Sequence, residues 1–193
     1  MIETRSGLHI LLFADQPALE LWLGAQPRDS KGAWFKFAKK GATRTSVTKA
    51  EAIDAALCHG WIDGQLDKYD DQFWLIRFTP RKTRSKWSEV NRTRALQLAE
   101  AGRVQPSGQA EIDKAKQDGR WDDAYAPQSS AQVPPDLQAA LDANPAAAEF
   151  FASLTGANRY AILYRIGAVK MADTRARKIA DFIAMLERQE TLH

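Results

Sequence analysis

Apolar and polar residues alternate with two different periods along the first part of the chain, and these periods predict short strands and helices. LHILLF (8–13) is a short apolar run of the kind that forms a buried strand, and the aromatic residues of AWFKFAKK (33–40) favour another. Between them, ADQPALELWLG (14–24) has Asp15 as an N-cap and Pro17 in the first turn. The pattern therefore predicts a strand, a helix and a second strand, in that order.

A second helix and a β-hairpin are predicted next along the chain. TKAEAIDAALCHG (48–60) begins with the capping box of Thr48 and Glu51 and carries apolar residues on one face. WIDGQLD and QFWLIRF are strand-like runs joined by KYDD, whose aspartates suit a turn, so residues 61–78 are predicted to form a hairpin. We expect one small antiparallel sheet with covering helices in this half of the chain.

Helical spacing replaces the strand pattern after Pro80. Ser88 is placed to cap a helix that runs to about Ala101, and Ser107 to cap another that ends at Gly119. YAPQSSAQVPP (125–135) is rich in Pro, Ser and Gln and has little to bury, which is typical of a linker. The residues that follow predict helices starting near Asp136, Pro145, Thr155 and Asp173.

These elements define the expected fold class and domain organisation. The fold class is α+β, with the sheet in the N-terminal half and a helical C-terminal half. We expect an α+β part at residues 1–124, a linker at 125–135 and a helical part at 136–193, with the two parts packed as one body.

The composition limits the kinds of protein that the chain can form. It is 45% apolar and 26% charged, which is typical of a soluble globular protein. A single cysteine excludes an internal disulfide, and no cysteine and histidine cluster has zinc-ligand spacing, so we expect no metal and no cofactor. We find neither a secretory signal pattern nor a run of the ~18 apolar residues that a membrane span requires. The expectation is therefore a cytoplasmic protein without a membrane span.

Positive charge is concentrated just after the predicted hairpin. The chain carries a net charge of +3, whereas residues 77–94 contain seven cations and one glutamate, 7 − 1 = +6. Pro80 and the Ser and Thr residues favour a loop there, and the helix start at Ser88 offers free N–H groups and a positive dipole end. This segment is either a solvated charged loop or a site for an anionic ligand.

The anion hypothesis gives each candidate residue a role. Arg81 and Arg84 would neutralise charge, while Ser85 and Ser88 would donate hydrogen bonds. Asp63 would orient an arginine, and we expect it to pair with Arg77 or Arg81. The candidate ligand-binding residues are Trp61 and Trp87 as pocket walls, Asp63, Arg81, Arg84, Ser85, Ser88 and Asn91.

Two alternative functions remain open. A nucleic-acid-binding protein would use Lys82 and Lys86 together with the cations of TRARK, which are Arg175, Arg177 and Lys178. Those last cations follow the cap at Asp173, where they oppose the helix macrodipole and require compensation by acids or by a bound anion. An enzyme would use Cys58 or Asp63, but no catalytic constellation is recognisable, and Cys58 is better explained as a buried residue at a helix end.

Six motifs resemble one known family over nearly the whole chain. They are CHGWIDG, FTPRKTRSKWSEVNR, AGRVQPSG, AKQDGRWDDAY, VPPDL and KMADTRARKI. In this order they resemble the bacterial YdeI/OmpD-associated family, which is also labelled bacteriocin-protection. The resemblance implies a link to envelope stress and resistance to bacteriocins or cationic peptides, and it implies no particular reaction.

The chain departs from the family pattern at two places. His59 stands where the family has an aromatic residue such as phenylalanine, which argues against a Cys58–His59 catalytic pair. Val169 and Met171 flank Lys170 where the family pattern looks like Ala-Lys-Arg. The second departure leaves a smaller basic patch near TRARK than the family pattern would give.

Overall fold

The computed structural model describes residues 3–192. The chain divides into two compact units, Met1–Ala124 and Tyr125–His193. The first unit contains a five-stranded sheet and helices, and the second unit contains helices. The predicted α+β fold class, with its strands in the N-terminal half, is therefore confirmed.

The sheet of the first unit has the spatial order β1-β2-β3-β5-β4. Its strands are β1 (Thr4–Arg5), β2 (Leu8–Leu11), β3 (Ala33–Ala38), β4 (Trp61–Lys68) and β5 (Phe73–Pro80). Strands β2 and β3 are parallel, with Ile10 opposite Trp34, while the other neighbours are antiparallel. The sheet is thus mixed. Helix α1 (Gln16–Gly24) connects β2 to β3 and returns the chain to the edge of the sheet where β2 begins, so the two strands run in the same direction. The sequence pattern did not predict the short strand β1.

The predicted hairpin is formed by β4 and β5. A bulge between Asp63 and Leu66 interrupts the regular pairing of the two strands. In the turn, an Asp70 carboxylate oxygen accepts hydrogen bonds from the N–H groups of Gln72 and Phe73 at 2.8 and 2.7 Å. This is the turn role that the sequence assigned to the aspartates of KYDD.

The remaining helices of the first unit are α2 (Lys49–Cys58), α3 (Glu89–Glu100) and α4 (Pro106–Gln117). The capping box of Thr48 and Glu51 at the start of α2 is confirmed, as is the Ser88 cap of α3. Helix α4 begins two residues earlier than predicted, so Ser107 lies in its first turn and does not cap it. Pro106 takes the first helical position, where its missing N–H costs nothing.

Two clusters of buried side chains hold the first unit together around α2. Leu19 and Leu23 of α1 pack with Phe35 and Phe78 of the sheet and with the alanines of α2. The other cluster joins the end of α2 to α3 and α4 through the packing of the residues Leu57, Cys58, Trp87, Ala95, Leu98, Ile112, Ala115 and Trp121. Helix α2 therefore links the sheet to the region that follows the hairpin.

The second unit is built from α5 (Pro135–Asp142), α6 (Pro145–Ser153), α7 (Gly156–Gly167) and α8 (Ala172–Glu187). Its core contains Leu137, Phe151, Ile166 and Leu186. Helix α8 begins before Asp173, which lies in its first turn, so the predicted cap position is off by two residues. Within residues 3–192, no helix is both long enough and apolar enough to cross a membrane.

Candidate functional site

The basic loop, defined as residues 81–88, connects β5 to α3. Its backbone closes into a turn, because the Ser85 N–H donates to the Lys82 carbonyl and the Lys82 N–H donates to the Ser85 hydroxyl, each at 2.9 Å. At the start of the loop, the Arg81 N–H donates to the Gly60 carbonyl at 2.9 Å. Hydrogen bonds therefore hold the basic loop at its first residue and across its tip.

Arg81 and Trp87 form a buried stacked pair inside the basic loop. The guanidinium carbon of Arg81 lies 3.6 Å from the centroid of the Trp87 ring, and its Nη1 donates to the Lys86 carbonyl at 3.1 Å. Arg81 is only 6% exposed and Trp87 1%, so water does not weaken their cation–π attraction. Arg81, the first residue of the loop, is therefore bound to Lys86 and Trp87 at its other end.

Trp87 lies in the core of the first unit and not at an open surface. Its ring meets the Trp121 ring at a centroid distance of 4.8 Å in an edge-on arrangement. The Trp87 Nε1–H is buried, and it donates to no acceptor in the described part of the chain. The structure thus places Trp87 as a support for Arg81, whereas the sequence suggested a ring that forms a wall of a ligand pocket.

Arg120 fastens the tip of the basic loop, a role that the sequence did not suggest. Its Nη1 donates to the Ser85 carbonyl at 2.9 Å, while its Nε and Nη2 bind Asp118 at 2.8 and 2.7 Å. The Arg120 guanidinium lowers the pKa of the Asp118 carboxyl through these hydrogen bonds. Ser85 and Arg120 are 35 positions apart, so no local pattern could have indicated this contact.

Lys82, Arg84 and Lys86 are the exposed cations of the basic loop. The side chains of Lys82 and Arg84 form no hydrogen bond or ion pair with any residue in the range 3–192. The half-buried Ser85 hydroxyl accepts a backbone hydrogen bond and keeps its own hydrogen available for donation. The outer side of the loop therefore presents two unpaired cations and a hydroxyl donor.

Ser88 has a comparable hydroxyl at the start of α3. Its oxygen accepts a hydrogen bond from the Asn91 N–H at 3.1 Å, which is the N-cap bond of the helix. Glu89, in the first turn of α3, already brings a carboxylate to the positive end of the helix dipole. The helix start is therefore less available to an anion than the exposed cations of the loop.

Three other candidate residues meet in a crevice that no residue of the basic loop lines. Trp61, Asp63 and Asn91 line it together with side chains of α2, and it is too narrow to admit a water molecule. Asp63 forms no ion pair with a residue of the described chain, so the predicted pairing with Arg77 or Arg81 is not formed. Asp63 lies opposite Phe78 in the hairpin, and Arg77, one position earlier, projects from the other face of the sheet.

Two further cations of the 77–94 segment have structural partners. Arg92 donates to the Trp121 carbonyl at 3.0 Å. Arg94 binds the buried Asp54 with two hydrogen bonds of 2.6 and 2.5 Å, and this contact joins α3 to α2. The charge excess that the sequence shows is therefore divided between internal contacts and the outer side of the basic loop.

Burial determines the properties of Cys58, one of the two residues that the enzyme alternative would use. Cys58 is buried at the end of α2, as predicted, and burial raises the pKa of its thiol to about 11. Burial also lowers the pKa of His59. In the described range 3–192, no group of three or more His, Cys, Asp and Glu side chains is arranged to hold a metal ion.

The cations of residues 174–178 lie at the start of α8 in the second unit. Arg175 binds Asp136 through two hydrogen bonds of 2.5 and 3.0 Å and donates to the Ile166 carbonyl at 2.8 Å. The Arg175 guanidinium lowers the pKa of the Asp136 carboxyl. Arg177 is exposed, and the Lys178 ammonium lies 5.8 Å from the Phe182 ring centroid. Arg175 thus has an acidic partner, while Arg177 and Lys178 remain candidates for the nucleic-acid alternative.

Two family models match the chain in separate stretches. Residues 11–111 match a domain of unknown function, DUF8412, and residues 130–189 match the family described as bacteriocin-protection, YdeI or OmpD-associated. The second match confirms the family resemblance, while the basic loop lies within the first match. No curated protein and no solved structure matches the chain.

Proposed function

The chain belongs to the DUF8412 family and carries a bacteriocin-protection, YdeI or OmpD-associated domain, and from this premise we propose that its basic loop binds an anionic partner. Neither family description specifies a reaction, so the proposal rests on the chemistry of the loop. Its ligand contacts are Lys82, Arg84 and Ser85. Arg81 and Arg120 are the residues that hold these contacts in position.

One observation carries the proposal. Lys82 and Arg84 are exposed, unpaired within the described residues and close together on a loop whose backbone Arg81 and Arg120 hold in place. Two neighbouring cations repel each other, and an anion between them removes that repulsion. A loop that is already ordered loses little conformational entropy when it binds, so more of the attraction is available as affinity.

The loop suits a phosphate-rich or carboxylate-rich partner that lies along its surface. Arg84 supplies a planar fork for a phosphate or carboxylate, and Lys82 supplies a point charge. Arg81 and Trp87 are in the core, so they support the loop and the ligand contacts only its outer side. An extended polyanion gains several such contacts at once, and we therefore expect it to bind more tightly than a single phosphate ion.

The biological role is the second part of the proposal. The description of the family that matches residues 130–189 names bacteriocin protection, and we propose that anion binding by the basic loop serves such protection. Bacteria that produce the chain should then survive a bacteriocin better than bacteria that produce a variant with the loop cations removed. Equal survival of the two strains, at equal protein levels, would reject this role and leave the binding proposal intact.

Calorimetric titration with inorganic polyphosphate tests the binding proposal. Lys82→Ala combined with Arg84→Ala should lower the affinity at least tenfold. The control is Lys40→Ala combined with Arg44→Ala, which removes the same charge from another exposed loop and should change the affinity less than twofold. With two phosphate contacts, the logarithm of the association constant should fall with the logarithm of salt concentration with a slope of about −1.4 to −1.8.

Two outcomes of this titration would reject the proposal. One is the absence of polyphosphate binding by the wild-type chain at low salt. The other is an equal loss of affinity in both double variants, because it would show that only total charge matters. A parallel titration with single-stranded DNA examines the nucleic-acid alternative, which predicts a steeper salt slope and a loss of affinity when Arg177 and Lys178 are replaced by alanine.

A further inference from the structure

An apolar groove runs along α8 in the second unit. It has a volume of about 630 Å³ and lies between α8 and α5, which forms its opposite wall. The side chains that matter for its shape are those of Ala140, Ala176, Ile179, Ala180, Ile183 and Ala184. The small alanine side chains allow another helix to approach closely, and the isoleucines provide apolar surface for it to cover.

Charge is distributed along α8 in the opposite sense to its macrodipole. From residue 172 to 180 there are three cations and one acid, 3 − 1 = +2, and from residue 181 to the end of α8 at 187 there are two acids and no cation, 0 − 2 = −2. Cations at the N-terminal end and acids at the C-terminal end of a helix both oppose its dipole. The Arg175–Asp136 pair compensates Arg175, whereas Arg177 and Lys178 form no ion pair with any residue of the described range 3–192.

The reversed polarity is self-complementary when two copies of α8 lie antiparallel. The positive half of each helix then lies beside the negative half of the other, and this happens twice because the two-fold axis relates the two contacts. Arg175 and Glu187 both line the groove, about 18 Å apart along the helix. An axis near Ala180 brings Arg175 of each copy within reach of Glu187 of the other copy.

We propose that the groove between α5 and α8 binds α8 of a second copy of this chain, in an antiparallel two-fold dimer. Ala180 lies near the axis, and Ala176 of each copy lies near Ala184 of the other. The groove is then covered by a helix whose charges match its own. This interface involves the second unit and is independent of anion binding by the basic loop.

The molar mass in solution tests the dimer. Light scattering coupled to size-exclusion chromatography should give twice the 21.5 kDa of one chain. Ala180→Glu places two carboxylates near the axis and should return the mass to that of one chain. The control, Ala139→Glu, makes the same change at an exposed position of α5 that does not line the groove, and this variant should remain a dimer.

Cross-linking through introduced cysteines tests the antiparallel register. Cys58 is the only cysteine and is buried, so it does not compete. An oxidised mixture of the Ala176→Cys and Ala184→Cys variants should form disulfide-linked heterodimers in much higher yield than either variant alone. A wild-type chain with the mass of one copy at about 100 µM, a dimer that survives Ala180→Glu, or equal cross-linking in all three samples would overturn the proposal.

Discussion

The guanidinium carbon of Arg81 lies 3.6 Å from the centroid of the Trp87 ring, and both side chains are buried. The pair is a cation–π contact that closes the basic loop from inside, with the Lys86 carbonyl as a further acceptor for Arg81. Arg81 is thus a structural residue of a loop whose exposed cations are Lys82, Arg84 and Lys86. Because Arg81 is buried and Arg84 is exposed, we expect the same substitution to alanine to change the free energy of unfolding by different amounts at the two positions.

Replacing Arg81 by alanine should lower the free energy of unfolding by about 2–4 kcal/mol. The change removes the stacking on Trp87 and the hydrogen bond to the Lys86 carbonyl, and it leaves a cavity beside a buried ring. Urea denaturation at pH 7 measures the difference. Arg84→Ala is the matched control and should stay within about 0.5 kcal/mol of the wild-type chain because Arg84 is exposed. Equal stability of the two variants would refute the structural role of Arg81.

The close approach of α4 to the end of α2 requires a glycine at position 108. A Cβ atom added there would lie 2.2 Å from the Cys58 carbonyl oxygen, so Gly108→Ala should destabilise the chain by more than about 2 kcal/mol. Gly167 is a helical glycine, and apart from its chain neighbours and its own helix backbone no atom of the described residues lies within 4 Å of such a Cβ, so Gly167→Ala should stabilise by up to about 1 kcal/mol. Thermal unfolding of the two variants should shift in opposite directions, and a shift in the same direction would contradict this packing.

The Cys58 thiol should react slowly in the folded chain. Burial raises its pKa from the ordinary value of 9.0 to about 11, so well below pH 9 the folded chain holds about a hundredfold less thiolate than the unfolded chain. Iodoacetamide alkylation, followed by mass spectrometry from pH 7 to 11, measures both rates. The rate in urea should be half-maximal near pH 9 and level off above it, while the rate in buffer should keep rising towards pH 11. A fast native reaction that levels off below pH 9 would instead favour a reactive cysteine.

The pairing of Asp136 with Arg175 should make the stability of the second unit depend on pH. The pKa of Asp136 is lower in the folded chain than in the unfolded chain, so its contribution is present above the ordinary aspartate pKa of about 3.9 and is lost as the pH falls through the folded value. Both side chains are partly exposed, which limits the contribution to about 1 kcal/mol or less.

Asp136→Asn should therefore destabilise the chain at pH 7 and have a much smaller effect near pH 3. Urea denaturation at the two pH values measures this difference. Asp181→Asn, an exposed position of α8, serves as the control and should show no comparable dependence on pH. If Asp136→Asn cost the same stability at both pH values, the ion pair would not be the source of the effect.

Local sequence signals predicted most of the helices and the hairpin correctly. Thr48 and Glu51, which lie within four residues of each other, form the N-terminal cap of α2, and Ser88 forms that of α3. Each of these contacts lies within one turn of chain, so a pattern of neighbouring residues can specify it. The parallel pairing of β2 with β3 has no such local signal, because it depends on the path of the chain through α1.

The candidate site was less predictable because its geometry depends on distant residues. Sequence identified the cations of the basic loop but could not indicate that Arg81 is buried or that Arg120 binds the Ser85 carbonyl. Trp87 was expected to form a wall of a ligand pocket, yet it packs on Trp121, which lies 34 residues further along the chain. The predicted ion pair between Asp63 and Arg77 was wrong for a related reason. The face of the sheet from which Arg77 projects depends on the register of the hairpin, which local sequence does not specify.

The most direct test of the account is a titration of ¹⁵N-labelled chain with inorganic polyphosphate, observed in amide and arginine side-chain NMR spectra. The account predicts progressive shifts of the Lys82–Ser85 amide signals and of the Arg84 Nε signal. The Arg81 Nε signal should move much less, because its guanidinium lies in the core beneath the loop. Shifts centred on another part of the chain, or no shifts at polyphosphate concentrations up to the millimolar range, would contradict the assignment of the basic loop as the binding site.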